Sequence, residues 1–215
     1  SVECDVLEEP ARAVVDWAEN LYSNWFLADA NACWTSAAQG EWADCGYIDG
    51  PARQDEFYWH VLPTFVGSAK TTVVIVSDAL RYEVARDVAA LLERERGGNV
   101  RVSSMQAVFP SITEVGMPAL LPHQALELAA DGSLVLADGM PTATTPQREA
   151  VLTHVEPTAR ALRSSAYLNM AGTERKALLK DSKLVFLYHN KIDATGEKAA
   201  TQDDVFDACA DTVEE

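Results

Sequence analysis

Asp78 stands just past the apolar run Thr72–Val76, where a buried strand would end. A carboxylate in that place can cap the next helix, because it accepts backbone N–H bonds and suits the helix dipole. It can equally give oxygen to a divalent metal ion. Thr113 offers a second kind of chemistry. Ser111 and Glu114 fit the capping-box spacing S-x-x-E, so the pattern predicts a helix beginning at Ser111, with Thr113 in its first turn. Unpaired N–H groups and the positive dipole end make such a turn a phosphate site. A hydroxyl there can attack phosphorus once a metal lowers its pKa, although an ordinary helix start accounts for the same residues. Arg81, one turn beyond Asp78, is a fork for a phosphate or the partner of a nearby acid. His189 and Asp193 lie four apart after the last strong apolar run, and Glu197 follows four further on. A histidine there serves as a metal ligand or as a hydrogen-bonded structural group. His60, His123 and His154 have no partner pattern. Two carboxylates and a helix-start hydroxyl at three strand ends of one sheet suit binuclear metal-assisted phosphoryl transfer.

The elements that must position these groups read as an α/β pattern. Thr72–Val76 is a buried parallel strand, and Leu80, Val84, Val88, Leu91 and Leu92 line one face of a helix ending at Gly97-Gly98. Val100–Phe109 is expected as a second strand, closing a βαβ unit with its polar residues beyond the strand ends. Ser133–Ala137 is a short hairpin or edge strand. Residues 145–153, 155–170 and 172–180 read as helices, Lys183–Tyr188 as a buried strand, and 198–214 as a helix. Before the sheet, Leu7–Leu27 reads helical, with Trp17, Leu21 and Trp25 four apart, whereas residues 31–54 read as loop. We therefore expect a helical appendage or linker over 1–65, packed on a sheet domain over 66–215, with its aromatics serving as core.

Composition narrows the class. The chain is 48% hydrophobic, enough for one good-sized domain or one domain with an appendage. It has no run of 18 apolar residues to span a membrane, and no signal-like start, so a cytoplasmic protein is expected. Its four cysteines form no CxxC pair, which disfavours a structural zinc site, and a disulfide framework is not expected. The net charge of -16, without a basic run of five, disfavours tight direct binding to nucleic acid.

Three stretches carry a family likeness: SDALRYE (77–83), FPSITEVGMPALLPH (109–123) and YHNKIDATGEK (188–198). In order and spacing they resemble the PglZ domain family of bacterial phage-exclusion (BREX, or phage growth limitation) systems, within the alkaline phosphatase superfamily. The likeness covers about residues 54–210. It implies a mixed, mostly parallel sheet flanked by helices, with two divalent metals at the strand ends. Carried over, Asp78 is a metal ligand, Thr113 a nucleophile that also binds metal, and Asp193 a ligand of the other metal. Zinc is the first expectation, with manganese or magnesium as alternatives. Glu197 stands where superfamily members often place a histidine, and His189 is expected to orient rather than to ligate. The later Asp-His-Gly motif and the further histidine of such domains do not occur before Glu215. This implies the front part of a larger phosphatase domain, inactive and weakly metal-binding by itself.

The resulting expectation is a metal-dependent phosphatase or phosphodiesterase of an antiphage system, with Arg81 holding the phosphate ester. Its alternative is a non-catalytic scaffold contacting other defence proteins, such as a DNA methyltransferase. A nucleotide-binding α/β domain is a third reading. It lacks a glycine-rich phosphate loop after the first strand.

Overall fold

The computed structural model describes residues 5–66, 71–96, 99–199 and 202–214. The chain divides into two compact units, Ser1–Pro51 and Ala52–Glu215. The first is helical: α1 (Asp5–Leu21), a π-helical turn (Tyr22–Leu27) and α2 (Ala28–Cys45). The loop expected over 31–54 is therefore helix as far as Cys45. Its alanines carry the highest helix propensity and outweigh the isolated Gly40. Gly46, at φ 77°, ends α2 in the left-handed region, and its N–H donates to the Trp42 carbonyl at 3.0 Å. The aromatics do not form the expected core in this unit, since Trp17, Trp25 and Trp34 are all more than 60% exposed.

The second unit begins earlier than expected, because residues 52–66 pack into its core through Tyr58 and Leu62. A 3-10 turn (Gln54–Glu56), a π-helical turn (Phe57–Val61) and α3 (Pro63–Val66) lead to β1 (Thr72–Ser77) and α4 (Tyr82–Arg96). The predicted end of α4 at Gly97-Gly98 lies outside the described residues. Then follow α5 (Thr113–Ala119), β2 (Leu126–Leu128), β3 (Val135–Ala137), β4 (Met140–Pro141), α6 (Thr145–Val155), β5 (Arg160–Arg163), α7 (Ser164–Leu168) and α8 (Gly172–Asp181). β6 (Leu184–His189), α9 (Lys191–Gly196) and α10 (Gln202–Glu214) complete it. This is a mixed α/β architecture with a parallel sheet flanked by helices.

The parallel sheet has the order β1-β6-β5. β1 runs in register with β6 from Thr72 opposite Leu184 to Ser77 opposite His189. β6 is buried along its whole length, as a central parallel strand should be. Its Leu184, Phe186 and Tyr188 join Leu121, Val151, Leu152 and Ala161 in the main core. The other face of β1 is bare, with Val73 and Ile75 42% and 67% exposed. A small antiparallel sheet, β2-β3-β4, contains the expected 133–137 strand as its centre.

Three expectations are corrected. Val100–Phe109 forms no strand; Gln106 makes a single bridge to Arg53, so the first strand's parallel neighbour is β6 and no 72–109 βαβ unit forms. The helix expected over 155–170 is broken. The chain turns after α6, runs as β5 beside β6, and resumes helix only at Ser164. Four residues there gain more by pairing with a buried strand than by extending an isolated helix. Helix α4 starts at Tyr82, so Leu80 precedes it and Asp78 does not cap it.

Candidate active site

β1 and β6 run parallel and end side by side, which brings Asp78 and His189–Asp193 to one end of the sheet. The Asp78 N–H donates to the His189 carbonyl at 2.8 Å, holding the chain in sheet geometry one residue past β1. Ala79 then takes a positive φ of 56° and turns the chain away from the strand. Asp78 Oδ1 accepts the Ala79 N–H at 3.1 Å, which leaves Oδ2 for the Thr113 hydroxyl, donating at 3.0 Å. Thr113 is the first residue of α5. Its N-cap is Ile112, with no side-chain cap bond, so Ser111 and Glu114 do not form the predicted box. The helix instead starts on the Ile112 carbonyl, which accepts the N–H groups of Val115 and Gly116 at 3.1 and 2.8 Å. Gln54 anchors it from outside, donating to the Gly116 carbonyl and accepting the Val108 N–H.

Asp78, Thr113 and Asp193 line one cavity of about 540 Å³, together with His189, Tyr188, Arg148, Arg163 and the amino end of α6. Asp193, in the first turn of α9, has its carboxyl raised above the ordinary aspartate value. Desolvation is the leading cause, followed by the negative charges of Asp78, Glu197 and Glu114. Acidic groups from the end of β1, from α5 and from α9 and its C-cap thus crowd one another electrostatically. His189 is buried, and its Nδ1 lies 2.9 Å from Ser77 Oγ across the β1–β6 ladder. The histidine is therefore held by a strand neighbour.

Arg81 stands elsewhere. Its guanidinium pairs with Glu83 at 3.8 Å and lies over the Phe206 ring, outside the cavity lining. The arginines that do line the cavity, Arg148 and Arg163, were not singled out in the sequence. For Arg148 one signal was available. It sits in the opening turns of a helix announced by Thr144-Thr145-Pro146, an unfavourable place for a cation.

Two carboxylates and a hydroxyl are hard oxygen donors of the kind a divalent ion takes, and the mutual repulsion around Asp193 is what such an ion relieves. They fit part of a metal site. Among the described residues, no group of three or more His, Cys, Asp and Glu is placed to hold a metal.

Comparison with known proteins places the chain in a family. Residues 57–215 match the family model of the BREX system PglZ alkaline phosphatase-like domain. The alkaline phosphatase-like protein BrxZ of Escherichia coli O9:H4 (strain HS) is 36% identical over 208 residues, which is 95% of this chain and 24% of that protein. The alkaline phosphatase-like protein PglZ of Bacillus cereus (strain H3081.97) is 32% identical over 204 residues, again 95% of this chain and 24% of that protein. The chain thus spans about a quarter of the length of these relatives. No solved structure matches it. With the family model covering nearly all of the second unit, the chain belongs to the family of BREX PglZ alkaline phosphatase-like domains.

Proposed function

We propose that this chain is part of a metal-dependent phosphatase or phosphodiesterase that works in antiphage defence in the cytoplasm. The observation that supports the reading most is the Thr113–Asp78 hydrogen bond at the mouth of two parallel strands, with Asp193 on the same cavity. Thr113 Oγ1 is the nucleophile. Its proton already faces Asp78 Oδ2, so the hydroxyl is oriented before substrate arrives. The Oγ1–P bond forms as the ester P–O bond breaks; the Thr113 proton passes to Asp78 Oδ2 and the departing alkoxide takes a proton from water, leaving as the alcohol. Water then cleaves the phosphothreonine, which releases phosphate from a monoester or a phosphomonoester from a diester and restores the Thr113 hydroxyl. Asp78, Asp193 and Thr113 would hold the divalent metal, with zinc first and manganese or magnesium as alternatives. Such an ion supplies charge neutralisation and a lower hydroxyl pKa. No helix among the described residues is long and apolar enough to cross a membrane.

The test is hydrolysis of p-nitrophenyl phosphate and bis-p-nitrophenyl phosphate by the full-length protein that carries this chain, with zinc, manganese or chelator. Thr113→Ala and Asp78→Ala should each lower metal-dependent turnover by at least about a hundredfold. Turnover that survives both changes would remove the proposed roles.

The partial donor set favours a second reading, a scaffold that contacts other defence proteins such as a DNA methyltransferase. In that case the Thr113→Ala protein keeps its phage protection.

A further inference from the structure

Arg148 is 9% exposed, lines the cavity, and has no carboxylate within ion-pair distance among the described residues. Its Nε donates to the Thr142 carbonyl at 2.8 Å, one Nη to Met117 Sδ at 2.9 Å, and the other Nη to the Ala143 carbonyl at 3.3 Å. A guanidinium has five N–H groups, so these bonds leave two uncommitted. Neutral acceptors orient the group and leave its charge uncompensated, and a buried charge without a partner is costly. The position adds to that cost. Arg148 lies close to the amino end of α6, where the helix dipole disfavours a cation. A cation kept in so unfavourable a place calls for an anion that arrives from outside.

Beside it lies a second unmatched group. Tyr188 is 6% exposed; its hydroxyl interacts with the Arg148 guanidinium, but among the described residues no partner meets full hydrogen-bond geometry and none accepts its proton. The Arg148 guanidinium sits 4.7 Å from the centre of the Tyr188 ring. Buried hydroxyls in native proteins are nearly always paired. Thr144 and Thr145 of the α6 amino end line the same cavity. The link to Thr113 is direct, since Met117, which accepts from Arg148, lies one helical turn after Thr113 on α5.

We propose that Arg148, the Tyr188 hydroxyl and the amino end of α6 form an oxyanion subsite that grips the phosphoryl group of the substrate beside Thr113. The proposal rests on reading the cavity as a phosphoryl-transfer site. It supplies the positive half that the acidic carboxylate cluster lacks, and without it a surface carrying -16 charges repels an anionic ester. The two unused guanidinium N–H groups and the phenol O–H each donate to a phosphoryl oxygen. A phosphomonoester therefore binds with its oxygens divided between this subsite and the carboxylate side.

The test is calorimetric titration of the full-length protein with inorganic phosphate in chelator, so that neither metal nor turnover enters the reading. Wild type is expected to bind phosphate in the millimolar range or tighter. Arg148→Gln should weaken binding about 10- to 100-fold, and Tyr188→Phe about tenfold, with Arg148→Lys intermediate. Arg148 also braces the Thr142 and Ala143 carbonyls, so Arg148→Gln can fail to fold. Tyr188→Phe keeps the ring under the guanidinium and decides the matter alone in that case. Wild type that binds no phosphate, or a folded Tyr188→Phe protein that binds it as wild type does, overturns the subsite. The failure of either idea shows separately. Phosphate binding that depends on Arg148 and Tyr188, without ester hydrolysis under any metal, keeps the subsite and sinks the phosphatase. Hydrolysis whose KM and phosphate affinity ignore both changes does the reverse.

Discussion

At the scale of single residues, the candidate site is a place where like charges are pressed together. Asp193 carries the cost, its carboxyl raised first by desolvation and then by Asp78, Glu197 and Glu114. Asp193→Asn should therefore raise the Tm of the metal-free protein slightly, by about 1–2 °C, because the group is partly exposed and solvent screens the repulsion. The same change should abolish metal-dependent ester hydrolysis. A melting curve with chelator and an activity assay with metal check the two halves, and a fall in Tm would contradict the repulsion. Tyr188 gives a pH prediction. Burial pushes its phenol up to about 12, while the charge of Arg148 works in the opposite direction. Between the ordinary tyrosine value of 10.0 and about 12, the unfolded chain loses this proton and the folded chain keeps it. Folded stability contributed by this group is thus complete below pH 10 and is lost as the pH climbs towards 12. Tyr188→Phe should flatten that loss, as measured by urea midpoints across the range. Asp78 and Asp193 could be picked out in the sequence because each follows the end of an apolar run, and Thr113 was reached through a capping-box spacing that does not form, although Thr113 does open the helix. Arg148 and Tyr188 were not legible. Tyr188 reads as one more aromatic of a buried strand, and the charge on Arg148 is informative only once its lack of an acid is seen in space.

At the scale of elements, legibility followed burial. β6 was clear because LVFLY is apolar throughout, and it is buried on both faces. Phe186, fully buried in that strand, should cost about 3–5 kcal/mol when changed to alanine, whereas Ile75→Ala on the bare face of β1 should stay within about 0.5 kcal/mol. Urea unfolding of the two variants measures the contrast, and equal costs would mean that the core is misplaced. β5 was not legible. Its four residues, Arg160–Arg163, contain good helix formers, and only the neighbouring β6 makes them a strand. Residues 100–109 failed in the opposite sense. Their strand-like composition finds a single bridge, to Arg53, and no ladder. α2 was hidden by Gly40 and by its asparagine and aspartates, which suit turns as well as helices.

For the whole molecule, thirty-three acidic residues against seventeen basic ones make self-repulsion a standing cost. Raising sodium chloride from low salt to about 0.5 M should lift the Tm by a few degrees, since screening relieves repulsion among exposed charges. A Tm that is flat or falls with salt would show that local ion pairs outweigh the global field. The division into two units was legible in outline only. The boundary lies at Pro51 because Tyr58 and Leu62, which read as linker, are core of the second unit.

The bare face of β1 bears on how the chain behaves in the test tube. Val73 and Ile75 present branched apolar side chains to water on a strand whose one ladder partner among the described residues is β6. Exposed apolar strands of this kind are where chains gather into amorphous or fibrillar aggregates, and no lysine or proline within Thr72–Ser77 guards this one. Shelf life in concentrated solution, rather than melting temperature, is then the property that the outer face of β1 governs.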